Sequence, residues 1–118
     1  MKRRIAALVP AVAAIALAVP LSLPTPAAAH APCGARGTNQ DHNPFVQTAN
    51  GANVRSGSST SCTVMGIAYS GDWLNYRCYT RGNDGYTWTY LENASKGTEG
   101  WVRDDLLSDG GTTYSCGF

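Results

Sequence analysis

The chain has 118 residues, 9 basic against 8 acidic side chains and a formal charge of +1, with four cysteines. A near-neutral chain whose basic run is confined to Lys2-Arg3-Arg4 lacks the electrostatic footprint of a nucleic-acid binder. Its length suits one small domain with a modest core, which excludes large multi-domain enzymes and leaves binding modules, inhibitors and very small catalysts.

Lys2-Arg3-Arg4 precede an apolar, Ala-rich run from Ile5 to Leu23, and Pro24-Thr25-Pro26-Ala27-Ala28-Ala29 then supplies an A-x-A type cleavage site. This order is a secretory signal peptide over residues 1–29. Pro10 and Pro20 interrupt the run, which disfavours a spanning anchor. Cleavage after Ala29 is preferred to cleavage after Ala31, which would leave Pro32 at the first mature position. The expected mature chain starts at His30, is secreted, and has no membrane attachment. Lys2, Arg3 and Arg4 leave with the leader, so six basic residues face eight acidic ones and the charge becomes −2. Cys33, Cys62, Cys78 and Cys116 all remain. An even count in an exported chain reads as two disulfides, and no pair has the close C-x-x-C spacing of a structural zinc site.

Residues 30–45 show no apolar period and read as an irregular arm tied down by Cys33. Pro44 is the last proline, which suits a following run of hydrogen-bonded strands. Phe45-Val46-Gln47-Thr48 is a short candidate strand. Ala52-Asn53-Val54-Arg55 follows the Asn50-Gly51 turn, with Ala52 and Val54 on one face, and a polar loop runs from Ser56 to Ser61. Thr63 to Tyr69 and Trp73 to Thr80 are the next strands, joined at Ser70-Gly71-Asp72. Alternation places Cys62, Val64, Gly66 and Ala68 on one face, and Leu74, Tyr76 and Cys78 on one face of the partner. A hairpin turning near Ser70 sets Cys62 opposite Cys78, so the predicted bridges are Cys62–Cys78 and Cys33–Cys116. The first closes a loop of about 16 residues, worth roughly 3 kcal/mol in chain entropy.

Asn83-Asp84-Gly85 is a turn signal, and Tyr86 to Leu91 alternates after it. A two-residue turn puts Trp88 and Tyr90 beside Tyr79 on the outer face, whereas a five-residue loop puts them beside Cys78 and Tyr76. Glu92 to Gly100 reads as a polar hairpin loop, Trp101-Val102 as a short strand, and Asp104 to Leu107 as one helical turn. A tail over 109–118 is tied by Cys116.

Five to six short strands in so few residues suggest a small closed barrel. Asn53-Val54-Arg55-Ser56-Gly57-Ser58-Ser59-Thr60, Val64-Met65-Gly66, Gly71, Trp88 and Gly100-Trp101-Val102 resemble the bacterial SH3 (SH3b) domain family, especially its exported actinobacterial members, over residues 46–108. The resemblance implies an all-β, SH3-like barrel acting as a binding module, often for peptidoglycan or its stem peptides and commonly attached to a wall hydrolase. The four cysteines are additions to that pattern, and no catalytic domain accompanies it in this sequence.

No catalytic residues, metal or cofactor are expected. His30 at the mature N-terminus with His42 is a pair able to hold copper, but the scaffold is too small to supply an axial ligand and a flat binding face. A Cys nucleophile needs a free thiolate, and all four cysteines are expected in bridges. Gly-x-Ser-x-Gly is absent and both histidines lie in the arm, which disfavours a Ser/His/Asp site. Asp104-Asp105 with Asp109 read as a helix-start and surface charge cluster. Asn93-Ala94-Ser95 is a glycosylation sequon by pattern, without meaning in a chain carrying a bacterial type of leader. The aromatics carry the functional signal. Trp73, Tyr79, Tyr86, Trp88, Tyr90 and Trp101 either form half-buried barrel ends or line a groove on which a sugar or an extended peptide stacks. Arg77 and Arg103 stand ready at its rim for a carboxylate. The expected function is a secreted, non-catalytic module recognising cell-wall peptidoglycan peptide or glycan. The alternative is a small secreted enzyme inhibitor or toxin-like protein on the same scaffold.

Overall fold

Short Val-, Tyr-, Trp- and Thr-rich runs separated by turn residues form five antiparallel strands in the computed structural model, which describes residues 30–118. The expected leader, 1–29, lies outside the described residues. The strands are β1 (Ala52–Arg55), β2 (Val64–Ala68), β3 (Leu74–Arg81), β4 (Thr87–Asn93) and β5 (Thr98–Arg103), followed by a 3₁₀ turn at Asp104–Leu106. They lie in the order β2-β1-β5-β4-β3 and curl into a small SH3-like barrel. Val54, Ala68, Leu74, Leu91 and Val102, all fully buried, fill its interior. Phe45 to Thr48 contributes no full strand; Val46 bridges Leu74 and Ala49 bridges Leu107 as isolated pairs.

Two departures from simple alternation shape the sheet. In β3, Tyr76 lies opposite Leu91 while Cys78 lies opposite Tyr90, so Arg77 is an extra residue without a partner. Such a bulge passes the following residues to the other face. Tyr76 therefore points into the barrel, and Cys78 and Thr80 point outward with Tyr90 and Trp88, contrary to the expected shared face of Tyr76 and Cys78. The loop from Gly82 to Tyr86 has five residues, as one of the two registers required, but the bulge separates Trp88 and Tyr90 from Tyr76. A second shift between Val54 and Arg55 turns Val64 outward beside Arg55.

The disulfides are Cys33–Cys62 and Cys78–Cys116, not Cys62–Cys78 and Cys33–Cys116. The predicted pairing assumed that consecutive strands form a hairpin. Instead β2 and β3 are the two edges of the sheet, and three strands separate them. Chain separations of 29 and 38 residues give each bridge about 4 kcal/mol in chain entropy.

The outward row from β1 to β3 is Arg55, Trp101, Tyr90 and Cys78, in register across four strands. Over it lie the arm and the tail. Trp101 Nε1 donates to Ala35 O at 2.9 Å, Ala31 N donates to Ser58 Oγ at 2.8 Å, and Phe118 packs edge-on against Trp101 at 6.3 Å. Ala31, Cys78, Trp88, Tyr90, Trp101 and Cys116 thus form a second core outside the barrel. Gly37 makes the close approach, since a Cβ there would lie 2.6 Å from Tyr90 Cβ. β4 is consequently buried on both faces, which removes the alternation expected of a half-exposed strand.

The expected polar loop from Glu92 to Gly100 is mostly strand. Asn93 O accepts from Lys96 N and Gly97 N, closing a tight turn in which Gly97 takes a φ of +74°. Asn93, 1% exposed, also donates its amide to Asp72 Oδ2 at 3.0 Å, so the sequon asparagine is committed to the fold. Asp72 receives Lys96 Nζ at 2.6 Å and Tyr69 N at 2.9 Å as well. Lys96, then the Tyr69 amide and Asn93, hold its carboxyl down at about 2.

Two outcomes follow for stability. Because the folded Asp72 value lies below the unfolded one, its stabilisation is present above about pH 4 and is lost as pH falls toward about 2. Thermal melts of Asp72→Asn should show a smaller fall in Tm across that window than the parent chain, with a lower Tm at neutral pH. Trp101→Ala should cost about 3–5 kcal/mol in denaturant unfolding because its ring is fully enclosed. Trp73→Ala, with Trp73 49% exposed, should cost about 0.5 kcal/mol or less.

Candidate functional site

The aromatic and basic residues expected to line one groove fall in three places. Trp88, Tyr90 and Trp101 are in the covered outer core at 2%, 3% and 0% exposure. Trp73 and Tyr86 are exposed but sit beyond opposite ends of the β3–β4 hairpin. Tyr79 is half-buried and bridges Ser115 of the tail. Arg103 stacks over the Tyr86 ring at 4.2 Å and is paired with Asp105 and Asp84, and Arg77 pairs with Glu92 at 3.3 Å. Neither guanidinium is free of an acidic partner, so a carboxylate ligand would have to displace one.

The open concavity lies elsewhere, between arm and tail. It holds about 160 Å³ and is lined by Asp41, Pro44, Tyr76, Asp109 and Tyr114 together with residues 111–113. Its Asp41 and Thr112 walls continue into a chain of buried and part-buried hydrogen bonds. Thr87 Oγ1 and Thr89 Oγ1 each donate to Asp104 at 2.6 Å, Thr112 N donates to Thr89 Oγ1 at 3.1 Å, and Thr112 Oγ1 donates to Asp41 Oδ2 at 2.6 Å. Gly111 permits this closeness: it has a φ of +84°, and a Cβ there would stand 2.3 Å from Asp104 Oδ1. Asp104, expected on the surface, is buried, and burial raises its carboxyl above the ordinary value against the lowering effect of the two threonines.

On the barrel side, Tyr76 donates its phenol to Asp109 Oδ1 at 2.7 Å while accepting from Thr48 Oγ1. Burial, reinforced by the Asp109 carboxylate, keeps that phenol protonated far above the usual tyrosine range. Asp109 Oδ1 also accepts Gly111 N at 3.0 Å. Tyr114, 46% exposed, forms part of the rim. No basic side chain lines this cleft. A fixed carboxylate beside aromatic surface, with no neutralising cation, is suited to an ammonium group.

A smaller concavity of about 120 Å³ lies by Arg36, Met65, Tyr90 and Glu99. There Glu99 Oε1 accepts from Tyr90 at 2.9 Å and pairs with Arg36 at 3.0 Å. Burial, with Glu99 beside it, pushes the Tyr90 phenol up to about 12. The acid and base of this corner satisfy each other, leaving little unpaired charge for a ligand.

The arm–tail cleft was missed by sequence reasoning because, Val46 and Tyr76 apart, its walls come from the arm and the tail, which show no apolar period. The only local signal was Asp109-Gly110-Gly111-Thr112, an acid and a threonine flanking two turn-forming glycines. Among the described residues no group of three or more His, Cys, Asp or Glu side chains is placed to hold a metal ion. All four cysteines are in bridges.

No curated protein and no solved structure matches the chain. Residues 50–108, half of the chain, match the family model of the bacterial SH3 domain. The matched stretch contains all five strands and the 3₁₀ turn, and the bookends Asn53-Val54-Arg55 and Gly100-Trp101-Val102 lie on β1 and β5. With its family model and its barrel in agreement, the chain belongs to the bacterial SH3 domain family.

Proposed function

We propose that the protein is a secreted, non-catalytic module that recognises an amine-bearing peptide of the bacterial cell wall in the cleft between its arm and its tail. The observation that carries this reading is the cleft itself: an open concavity with Asp41 and Asp109, two tyrosines and no lining cation. Wall stem peptides and their cross-links carry amino groups on diamino acids, which are complementary to such a surface. Family membership supports the reading, since bacterial SH3 domains often bind cell walls. With every cysteine in a disulfide, none is available as a thiolate nucleophile. Two disulfides support an oxidising, extracellular setting.

Sedimentation with purified peptidoglycan tests the reading. Asp109→Asn should weaken binding by about tenfold, the scale of one lost charge-assisted contact, and raised salt should weaken the parent chain in parallel. Tyr76→Phe removes the phenol from Asp109 but keeps the carboxylate, and should retain most of the binding. A parent chain that stays in the supernatant with intact wall, or co-purifies instead with a secreted enzyme, would overturn the proposal in favour of an inhibitor.

A further inference from the structure

Each disulfide joins a cysteine inside the family-matched barrel, Cys62 or Cys78, to one outside it, Cys33 in the arm or Cys116 in the tail. What the two extensions cover is the outer aromatic row. The tail lies there as an added strand: Tyr79 N donates to Tyr114 O at 2.8 Å, and Cys116 N donates to Tyr79 O at 2.9 Å. Phe118 reaches on to Trp101, and its carbonyl accepts the Thr80 hydroxyl. This is how an extended peptide occupies a sheet edge, with main-chain pairing for grip and a side chain on an aromatic wall. Apart from Cys116, residues 113–118 are exposed, so the tail lies on the surface of the fold and is held there by its bridge and these pairings.

The two bridges differ in access, and one guards the other. Cys33 is exposed, whereas Cys62, Cys78 and Cys116 are at 3%, 0% and 7%. The arm sits directly on the second bridge: Thr38 N donates to Cys78 Sγ at 3.1 Å, and a Cβ on Gly37 would lie 2.7 Å from that sulfur. Thr38 Oγ1 also donates to Cys116 O. An incoming thiolate has a path to Cys33 but none to Cys78 or Cys116 until the arm has lifted.

We propose that the arm and tail are a two-stage, thiol-released cover over a second binding site, the β3 edge and its Tyr90–Trp101 wall, whose ligand is an extended peptide taking the tail's place. In the first stage a thiolate of an external dithiol attacks Cys33 Sγ, and Cys62 leaves as a thiolate and is protonated. The second thiol of the reductant then resolves the mixed disulfide, freeing Cys33 as a thiol and leaving the reductant as its own disulfide. Two electrons and two protons pass to the bridge. In the second stage the same exchange at the uncovered Cys78–Cys116 bridge releases the tail. This site is independent of the arm–tail cleft, which exists only while the cover is closed.

Stepwise reduction of the full chain with dithiothreitol, quenched by alkylation and read by peptide mass spectrometry, tests the order. Cys33 and Cys62 should label first, and Cys78 and Cys116 at least about tenfold more slowly. In Cys33→Ser/Cys62→Ser the lag of the second bridge should disappear. Acrylamide quenching of tryptophan should rise with the second stage while the β-sheet circular dichroism remains. The site is tested with full-length Cys116→Pro, which removes both the bridge and the N–H that pairs with Tyr79. A labelled synthetic peptide of residues 112–118 carrying Cys116→Ser should bind this variant and not the oxidised parent chain. Equal rates for the two bridges, or reduction of Cys78–Cys116 first, overturns the guarding. Loss of the sheet spectrum in Cys116→Pro, or a folded variant that does not bind the peptide, overturns the site.

Discussion

The single extra residue at Arg77 is the constraint on which the rest of the structure depends. Without it, Cys78 would follow Tyr76 into the barrel, where no tail could reach it. With it, Cys78 and Thr80 face outward in register with Tyr90 and Trp88. The bulge also turns its own carbonyl off the sheet edge, where it accepts both Gln40 N at 3.0 Å and Asp41 N at 2.8 Å. One local irregularity therefore supplies the anchor for the tail and the seat for the arm.

The outcome is a barrel with two cores rather than one. The inner core is built mostly from small and medium residues such as Ala52, Val54, Ala68 and Val102, with Tyr76 its one large ring, and Trp88, Tyr90 and Trp101 lie outside it. A domain of this size gains limited burial from a single layer, and the second layer adds two tryptophans that are almost completely enclosed. Among the described residues, the buried Thr89 and Asp104 bond each other and Asn93 bonds Asp72, whereas Nε of Arg77, at the bulge, is buried without a partner. Double coverage of the sheet turned the anticipated aromatic groove into interior and left the ligand-accessible concavity to the arm and tail.

The strands and most turns were legible in the sequence because they follow from residue chemistry that acts locally: β-branched and aromatic runs, and Gly or Asn at turns. The family bookends were legible for the same reason. The bulge was not. Burial in β3 alternates without a break through Leu74, Tyr76, Cys78 and Thr80, so the pattern looks like one face although the strand changes cores midway. The disulfide pairing was lost with it, since proximity along the chain had stood in for proximity in the sheet. The cover was invisible because it packs through alanines, a glycine and main-chain carbonyls, none of which announces itself as an apolar stripe. Asp104 was misread because its burial comes from Thr87 and Thr89 of β4, which bond its carboxylate, and from the chain folding back at Gly111, none of which the local acidic run reveals.

The bridges Cys33–Cys62 and Cys78–Cys116 neither cross nor nest along the chain. For a polypeptide delivered N-terminus first into an oxidising compartment, this has a kinetic meaning. When Cys62 arrives, Cys33 is the sole thiol available to it, and when Cys116 arrives, only Cys78 is left unpaired. Vectorial delivery alone then selects the native connectivity out of three, without isomerisation of wrong pairs.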